Sequence, residues 1–306
     1  MKFGLTGLGL KSGDSILIPD FICDVVLHPL KQLNIDPIFY ELNDNLIPCW
    51  SDMKNLLNHN TKAILMVHYF GQPQDIIRYQ TFCKENNLYL IEDNAHGYGG
   101  KYNGKKLGTF GDFGFSSPRK QINLISGGLL HINKKMNILP ERMPKHSFDI
   151  RKYLKNKIMD YLPNQINIIK KIITDRPKYE EKRLFREKEI NDLLIDNLSK
   201  QKYEKTNWDI IRKKRHDAHK YWEKLANKKG LESVYKIIDD ECIPWCYAAY
   251  AENHSQAIKW FKWGWEKGYN IFSWPSLPEE ILKKNGKAIK RWERLVCFST
   301  KSKPLY

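Results

Sequence analysis

The sequence predicts an α/β protein: a mostly parallel sheet flanked by helices, then a helical connector and a smaller α+β domain. Three observations carry this. Through the first 135 residues, short apolar runs alternate with helical patterns. Those runs are continuous rather than alternating, which marks strands buried on both faces. Beyond residue 147 the pattern changes to long charged helices before strands return. Strands separated by helices imply right-handed crossovers and a parallel sheet.

In order, Ser15 to Pro19 reads as a short buried strand and Phe21 to Gln32 as a helix. Pro37 to Tyr40 is a strand, Asp52 to Leu57 a short helix and Ala63 to His68 a strand. The helix Ile76 to Glu85 leads into a strand over Leu88 to Asp93, and Leu129 to Ile132 forms another after Gly127 and Gly128. Residues 147–229 are helical in pattern. Glu241 to Tyr250 is then a strand, Ser255 to Lys267 a helix and Tyr269 to Trp274 a strand. A helical stretch around Leu277 to Trp292 precedes Leu295 to Ser299. The expected organisation is an α/β domain over 1–135, a helical connector over 136–229 and a small α+β domain over 230–306. Ligands in parallel sheets bind beyond the carboxyl ends of the strands, which points to His68 to Pro73 and to Asp93 to His96.

Composition removes several classes. With 42% hydrophobic and 28% charged residues the chain can build cores and is not disordered. No apolar run approaches the roughly 18 residues of a membrane span, and Met1 to Leu10 lacks a small-residue cleavage site, so a soluble cytoplasmic protein is expected. Cys23, Cys49, Cys83, Cys242, Cys246 and Cys297 are scattered without a C-x-x-C pair, as reduced thiols are. The net charge of +16 suits either a nucleic-acid binder or a Lys-rich solvated surface. Runs such as Lys170-Lys171 and Arg212-Lys213-Lys214-Arg215 lie on polar helical patterns, read as solvated faces. No zinc finger, RNP1 signature or basic zipper accompanies them, so no nucleic-acid partner is expected. A negatively charged small substrate fits the same charge.

Three look-alikes fail. Gly4 to Ser12 imitates a P-loop, but Leu10 separates Gly9 from Lys11, and no third glycine completes a dinucleotide fingerprint. His216 and His219 share a helix face but lack a third ligand, so they read as surface histidines and no metal is expected. No G-x-S-x-G elbow supports a serine hydrolase.

Three other pieces carry chemistry together. Asp93, in I-E-D-N-A-H at the end of a buried strand, can pair with a protonated pyridine nitrogen; alone, it is also what a helix cap or structural carboxylate looks like. Lys120, ending G-F-S-S-P-R-K, lies in a tight turn between strands where desolvation and cationic neighbours can make it nucleophilic; alone, it is one loop lysine among many. His68 to Pro73, H-Y-F-G-Q-P, runs from a strand into a glycine turn, which alone is an ordinary turn.

The order H-Y-F-G-Q-P, I-E-D-N-A-H, then F-S-S-P-R-K with G-G-L-L after it resembles the DegT/DnrJ/EryC1/StrS family of fold-type-I aminotransferases. Gly9 to Asp14 resembles the family's G-L-x-P-G-D, Ile18 to Asp24 the turn after it, Asn207 to Tyr221 a helix with an R-R-x-N-Y pattern, and Trp274 to Pro278 a W-P-x-L-P. The resemblance implies pyridoxal 5'-phosphate as cofactor, with Lys120 as the Schiff-base lysine and proton shuttle. Asp93 would hold the ring nitrogen protonated, His96 would lie near the ring hydroxyl, Ser117 would bond the phosphate and Arg119 would help neutralise it. Lys120 itself favours transamination over the family's dehydratase branch, where a histidine takes that place. The resemblance also implies a nucleotide-linked keto-sugar acceptor, glutamate or glutamine as donor, a homodimer, and a setting in polysaccharide or amino-sugar biosynthesis.

The sequence departs from the family in three places. Members carry some tens of residues ahead of G-L-x-P-G-D, including a turn that cradles the phosphate on a helix N-terminus; here Lys11 is already at that segment. Cys23 falls where a stacking aromatic is usual, and Cys297 to Thr300 where L-P-x-H-Q is usual. Two readings follow: a working sugar aminotransferase, or a truncated or non-catalytic relative acting as a binding or subunit partner.

Overall fold

The computed structural model describes residues 1–134, 144–147, 149–161, 193–274, 276–284 and 286–301. Helix α1 (Lys2–Gly7) leads into β1 (Ser15–Pro19), α2 (His28–Leu33) and β2 (Asp36–Tyr40). Then come β3 (Thr61–Val67), α3 (Ile76–Asn86), β4 (Tyr89–Asn94), the hairpin β5 (Lys101–Tyr102) and β6 (Lys105–Lys106), β7 (Phe113–Ser116) and β8 (Leu129–Ile132). The six-stranded sheet runs β2-β1-β3-β4-β7-β8, parallel except where β8 pairs antiparallel with β7. β1 is buried at every position, and β3 and β4 at all but one. That is why the apolar runs do not alternate.

Helices α4 (Ile150–Tyr161), α5 (Asn197–Glu204) and α6 (Trp208–Lys228) follow. The rest of the helical expectation over 147–229, with Lys170 and Lys171, lies outside the described residues, as does Pro275. Beyond α6 an antiparallel sheet has the order β11-β12-β10-β9. It is built from β9 (Glu232–Ser233), β10 (Cys246–Tyr250), β11 (Ile271–Phe272) and β12 (Leu295–Ser299), with α7 (His254–Lys267), α8 (Glu279–Lys284) and α9 (Lys287–Arg294) around it.

Two expected elements need correction. The helix expected over Phe21 to Gln32 is a 3₁₀ turn at Asp24–Leu27 followed by α2, because Phe21 and Ile22 are taken into the core. Phe21 packs 5.0 Å from the Trp274 ring, which a helix starting there would forbid. The stretch Leu277 to Trp292 is two helices, the second starting from Gly286 as N-cap.

Two glycines fix how closely the turns approach. Gly71 has φ +93, and a Cβ there would lie 2.3 Å from the Ile243 carbonyl oxygen. Gly114, in mid β7, would place a Cβ 2.1 Å from the Gly108 carbonyl oxygen. Gly114→Ala is therefore expected to lower stability by roughly 1–3 kcal/mol, the usual cost of overpacking against rigid backbone. Urea denaturation checks this; an unchanged midpoint would mean that the Gly108 loop moves freely.

Candidate active site

Three turns meet at the carboxyl ends of β3, β4 and β7. The first is the 3₁₀ turn Tyr69–Gly71, where Phe70 has φ 55, a left-handed conformation costly for a bulky residue. Hydrogen bonds hold it on both sides: Phe70 N–H donates to His96 Nδ1 at 3.2 Å, and Trp245 N–H donates to the Phe70 carbonyl at 2.8 Å. The second turn carries Asp93 to His96. Asp93 is buried, and its Oδ1 accepts the Ala95 N–H at 2.9 Å. Burial raises its pKa, while the Ala95 N–H, Lys120, His68 and the amino group of Met1 pull it back. The third is the 3₁₀ turn Pro118–Lys120, closed by Lys120 N–H donating to the Ser117 carbonyl at 3.0 Å.

His96 is the centre of an aromatic cage. Trp245 stacks on it at 4.3 Å between centroids, Phe70 lies nearly parallel at 6.0 Å and Trp274 meets it edge-on at 5.3 Å. Burial and the Lys120 charge hold its pKa well below the usual histidine value. With Nδ1 accepting from Phe70, the neutral ring carries its proton on Nε2. The Lys120 Nζ lies 4.9 Å from the centroid of the Trp245 ring. The structure thus brings Asp93, His96 and Lys120 together. Ser117 is half-buried as N-cap of the lysine turn, and Arg119, in the same turn, is exposed.

Beneath this cluster, Glu92 is fully buried. It accepts from His68 Nε2 at 2.8 Å and from the N–H groups of Gly108, Phe110 and Gly111 at 2.5, 2.6 and 3.1 Å.

Sequence reasoning missed two participants and misplaced another residue. Trp245 sits inside a stretch read as strand; the strand begins at Cys246, and Pro244 was the signal, since proline interrupts a ladder. Arg215, read as part of a solvated charge run, is only 2% exposed. The spacing of Arg215, Ala218, His219, Trp222 and Ala226 along one helix face was the available signal. That same face corrects the surface reading of His219, which is buried; His216 contacts the Cys242 carbonyl at 3.0 Å.

Pyridoxal phosphate needs a carboxylate for its ring nitrogen, an amine for its aldehyde and donors for its phosphate. The Asp93 carboxylate accepts the Ala95 N–H, and the named charges acting on it are all basic groups. That environment suits a protonated pyridine nitrogen. Lys120 supplies the amine beside it and Ser117 a hydroxyl in the same turn, so the residues fit the group.

The architecture is that of the fold-type-I transferases. Aminotransferase PseC from Helicobacter pylori superposes with a TM-score of 0.67 at 16% identity, covering 97% of this chain and 78% of that one. GDP-4-keto-6-deoxy-D-mannose-3-dehydratase from E. coli, solved with hydrated PLP, gives 0.66 at 16% identity over 99% and 81%. In sequence, the model of the DegT/DnrJ/EryC1/StrS aminotransferase family matches residues 1–156, just over half of the 306, and the chain belongs to that family. GDP-perosamine synthase from Vibrio cholerae is 36% identical over 137 residues. That match takes in 44% of this chain and 37% of the relative, so the chain spans little over a third of that protein's length in the comparison.

Proposed function

We propose that this chain acts as a pyridoxal-phosphate-dependent sugar aminotransferase, moving an amino group from glutamate or glutamine to a nucleotide-linked keto-sugar. Bound pyridoxal phosphate supplies an electron sink that makes the proton on an amine-bearing carbon acidic. Lys120 would hold the group through Nζ, and its amine would serve as the base for the proton on the substrate carbon and, as ammonium, as the general acid. Asp93 holds a proton at the ring nitrogen by accepting its N–H. His96, neutral and capped at Nδ1, offers its Nε2–H to the ring hydroxyl. Ser117 donates to the phosphate, with Arg119 adding positive charge in the same turn. Phe70, Trp245 and Trp274, packed round His96, keep water from the reacting face.

The observation that carries this reading is the meeting of the turns that bear Asp93, His96 and Lys120, where the Lys120 Nζ lies 4.9 Å from the centroid of the Trp245 ring that stacks on His96. The sugar substrate is supported by the name of the V. cholerae relative, and the net charge of +16 suits a diphosphate. The amino donor, a homodimer and a cytoplasmic role in polysaccharide or amino-sugar biosynthesis belong to the same proposal through the family resemblance.

Purified protein mixed with pyridoxal phosphate is expected to develop a visible absorption band that borohydride traps covalently at Lys120. Lys120→Ala is expected to show neither. Absence of the band at saturating cofactor would overturn the enzyme reading in favour of a non-catalytic relative.

A further inference from the structure

Arg215 carries a guanidinium buried in the middle of α6, and no carboxylate among the described residues pairs with it. A buried unpaired charge is costly unless hydrogen bonds replace its water. Here four neutral acceptors do so. Nη2 donates to the carbonyls of Lys120 at 3.2 Å and Gln121 at 2.6 Å. Nη1 donates to the Trp245 carbonyl at 3.0 Å and to Thr300 Oγ1 at 2.9 Å. Thr300 Oγ1 in turn lies 2.6 Å from the Pro244 carbonyl. One planar fork therefore grips the lysine turn with one nitrogen and the approach to β10 with the other, a geometry that lysine cannot copy.

Both gripped segments point back to the same place. The Lys120 ammonium lies over the Trp245 ring, and that ring stacks on His96. Gln121, held through its own carbonyl, sends Nε2 to the His96 carbonyl at 2.5 Å and to the Ile243 carbonyl at 3.1 Å. We propose that Arg215 is a positioning residue that sets Lys120 against Trp245 and His96 by clamping both sides of the site through backbone carbonyls. The proposal rests on the reading of Lys120 as the reacting lysine.

The test reads Lys120 directly, without cofactor. The full-length protein is labelled with trace acetic anhydride across a pH series, and mass spectrometry gives the acylation rate of Lys120 relative to the exposed Lys31. Freed from the two carbonyl anchors at Lys120 and Gln121, the turn would let the Lys120 amine leave the Trp245 face for water, which favours the ammonium form. Arg215→Gln is therefore expected to move the Lys120 midpoint upward by about half a unit, a change of about threefold in relative rate at fixed pH. Arg215→Lys keeps the charge without the fork and is expected not to restore the wild-type ratio. Thr300→Val removes one acceptor on the Trp245 side and is expected to shift the ratio less; it decides the matter if the Arg215 variants do not fold. A merely structural arginine would lower thermal stability and leave the Lys120 profile of the folded variants on that of the wild type. That result overturns the proposal. A shifted profile in a protein that forms no band with pyridoxal phosphate would keep the clamp and remove the aminotransferase reading, so the two failures are distinguishable.

Discussion

Replacing Glu92 with alanine is expected to cost about 3–5 kcal/mol, since each donor it leaves unpaired in the interior costs about 1–3 kcal/mol. The substitution strips an acceptor from four donors at once: the buried His68 Nε2 and the N–H groups of Gly108, the half-buried Phe110 and Gly111. Each orphaned donor carries its own desolvation penalty. Glu92→Gln is expected to remain costly, because its amide turns donors toward donors. The pH dependence follows from the same geometry. Burial opposes ionisation of Glu92, but the hydrogen bond from His68 and the N–H groups of Gly108 and Phe110 outweigh it and hold its pKa below the usual carboxylate value. A depressed folded-state pKa gives stability that is present above the unfolded value and lost as pH falls through the folded one. Wild type should therefore lose stability on acidification through that window, and Glu92→Ala should lose less. Urea unfolding at neutral and acid pH tests both. A variant within about 1 kcal/mol of wild type would show that the loop over 107–111 does not hang on Glu92. Because Glu92 adjoins Asp93 and anchors His68, the variant should also capture pyridoxal phosphate more weakly.

The sheet was legible because its strands are short apolar runs, and β8 falls where the sequence places it. β1 to β4 fall within a residue or two of their expected bounds. Asp93, His96 and Lys120 could be picked out as candidates because each lies in a local pattern at or just beyond a strand end. What was not legible depends on partners distant in sequence. Phe21 leaves its helix for Trp274, and Arg215 leaves the solvated face for carbonyls at Lys120, Gln121 and Trp245. No periodicity in one segment records what a second segment offers it. The clamp could have been suspected only from the stripe of Ala218, Trp222 and Ala226, which turns Arg215 inward.

The second large effect is expected at the contact between β1 and α9. Arg291 grips Asp20 through Nη2, at 3.0 Å from Oδ1 and 2.9 Å from Oδ2, and donates through Nη1 to the Leu42 carbonyl at 2.6 Å. Burial pushes Asp20 up to about 6, even with Arg291 and the Leu42 N–H pulling it down. Arg291→Met leaves that carboxylate buried and uncompensated, at a cost of about 3–5 kcal/mol near pH 8. Without the arginine the folded-state pKa rises further. A raised acid pKa means that stability is fully present below the unfolded value, about 4, and is lost as pH rises through the folded one. The variant should therefore approach wild type on acidification to about pH 4 and fall away toward neutrality. The part that does not vary with pH is the Leu42 carbonyl left without its donor. Adding Asp20→Asn to Arg291→Met removes the stranded charge and should recover much of the loss at pH 8. If the gap between wild type and Arg291→Met instead stays constant from pH 4 to 8, Asp20 carries no charge that matters. The two sheets would then be held together by the packing of Phe21, Trp274 and Trp292 in their shared core.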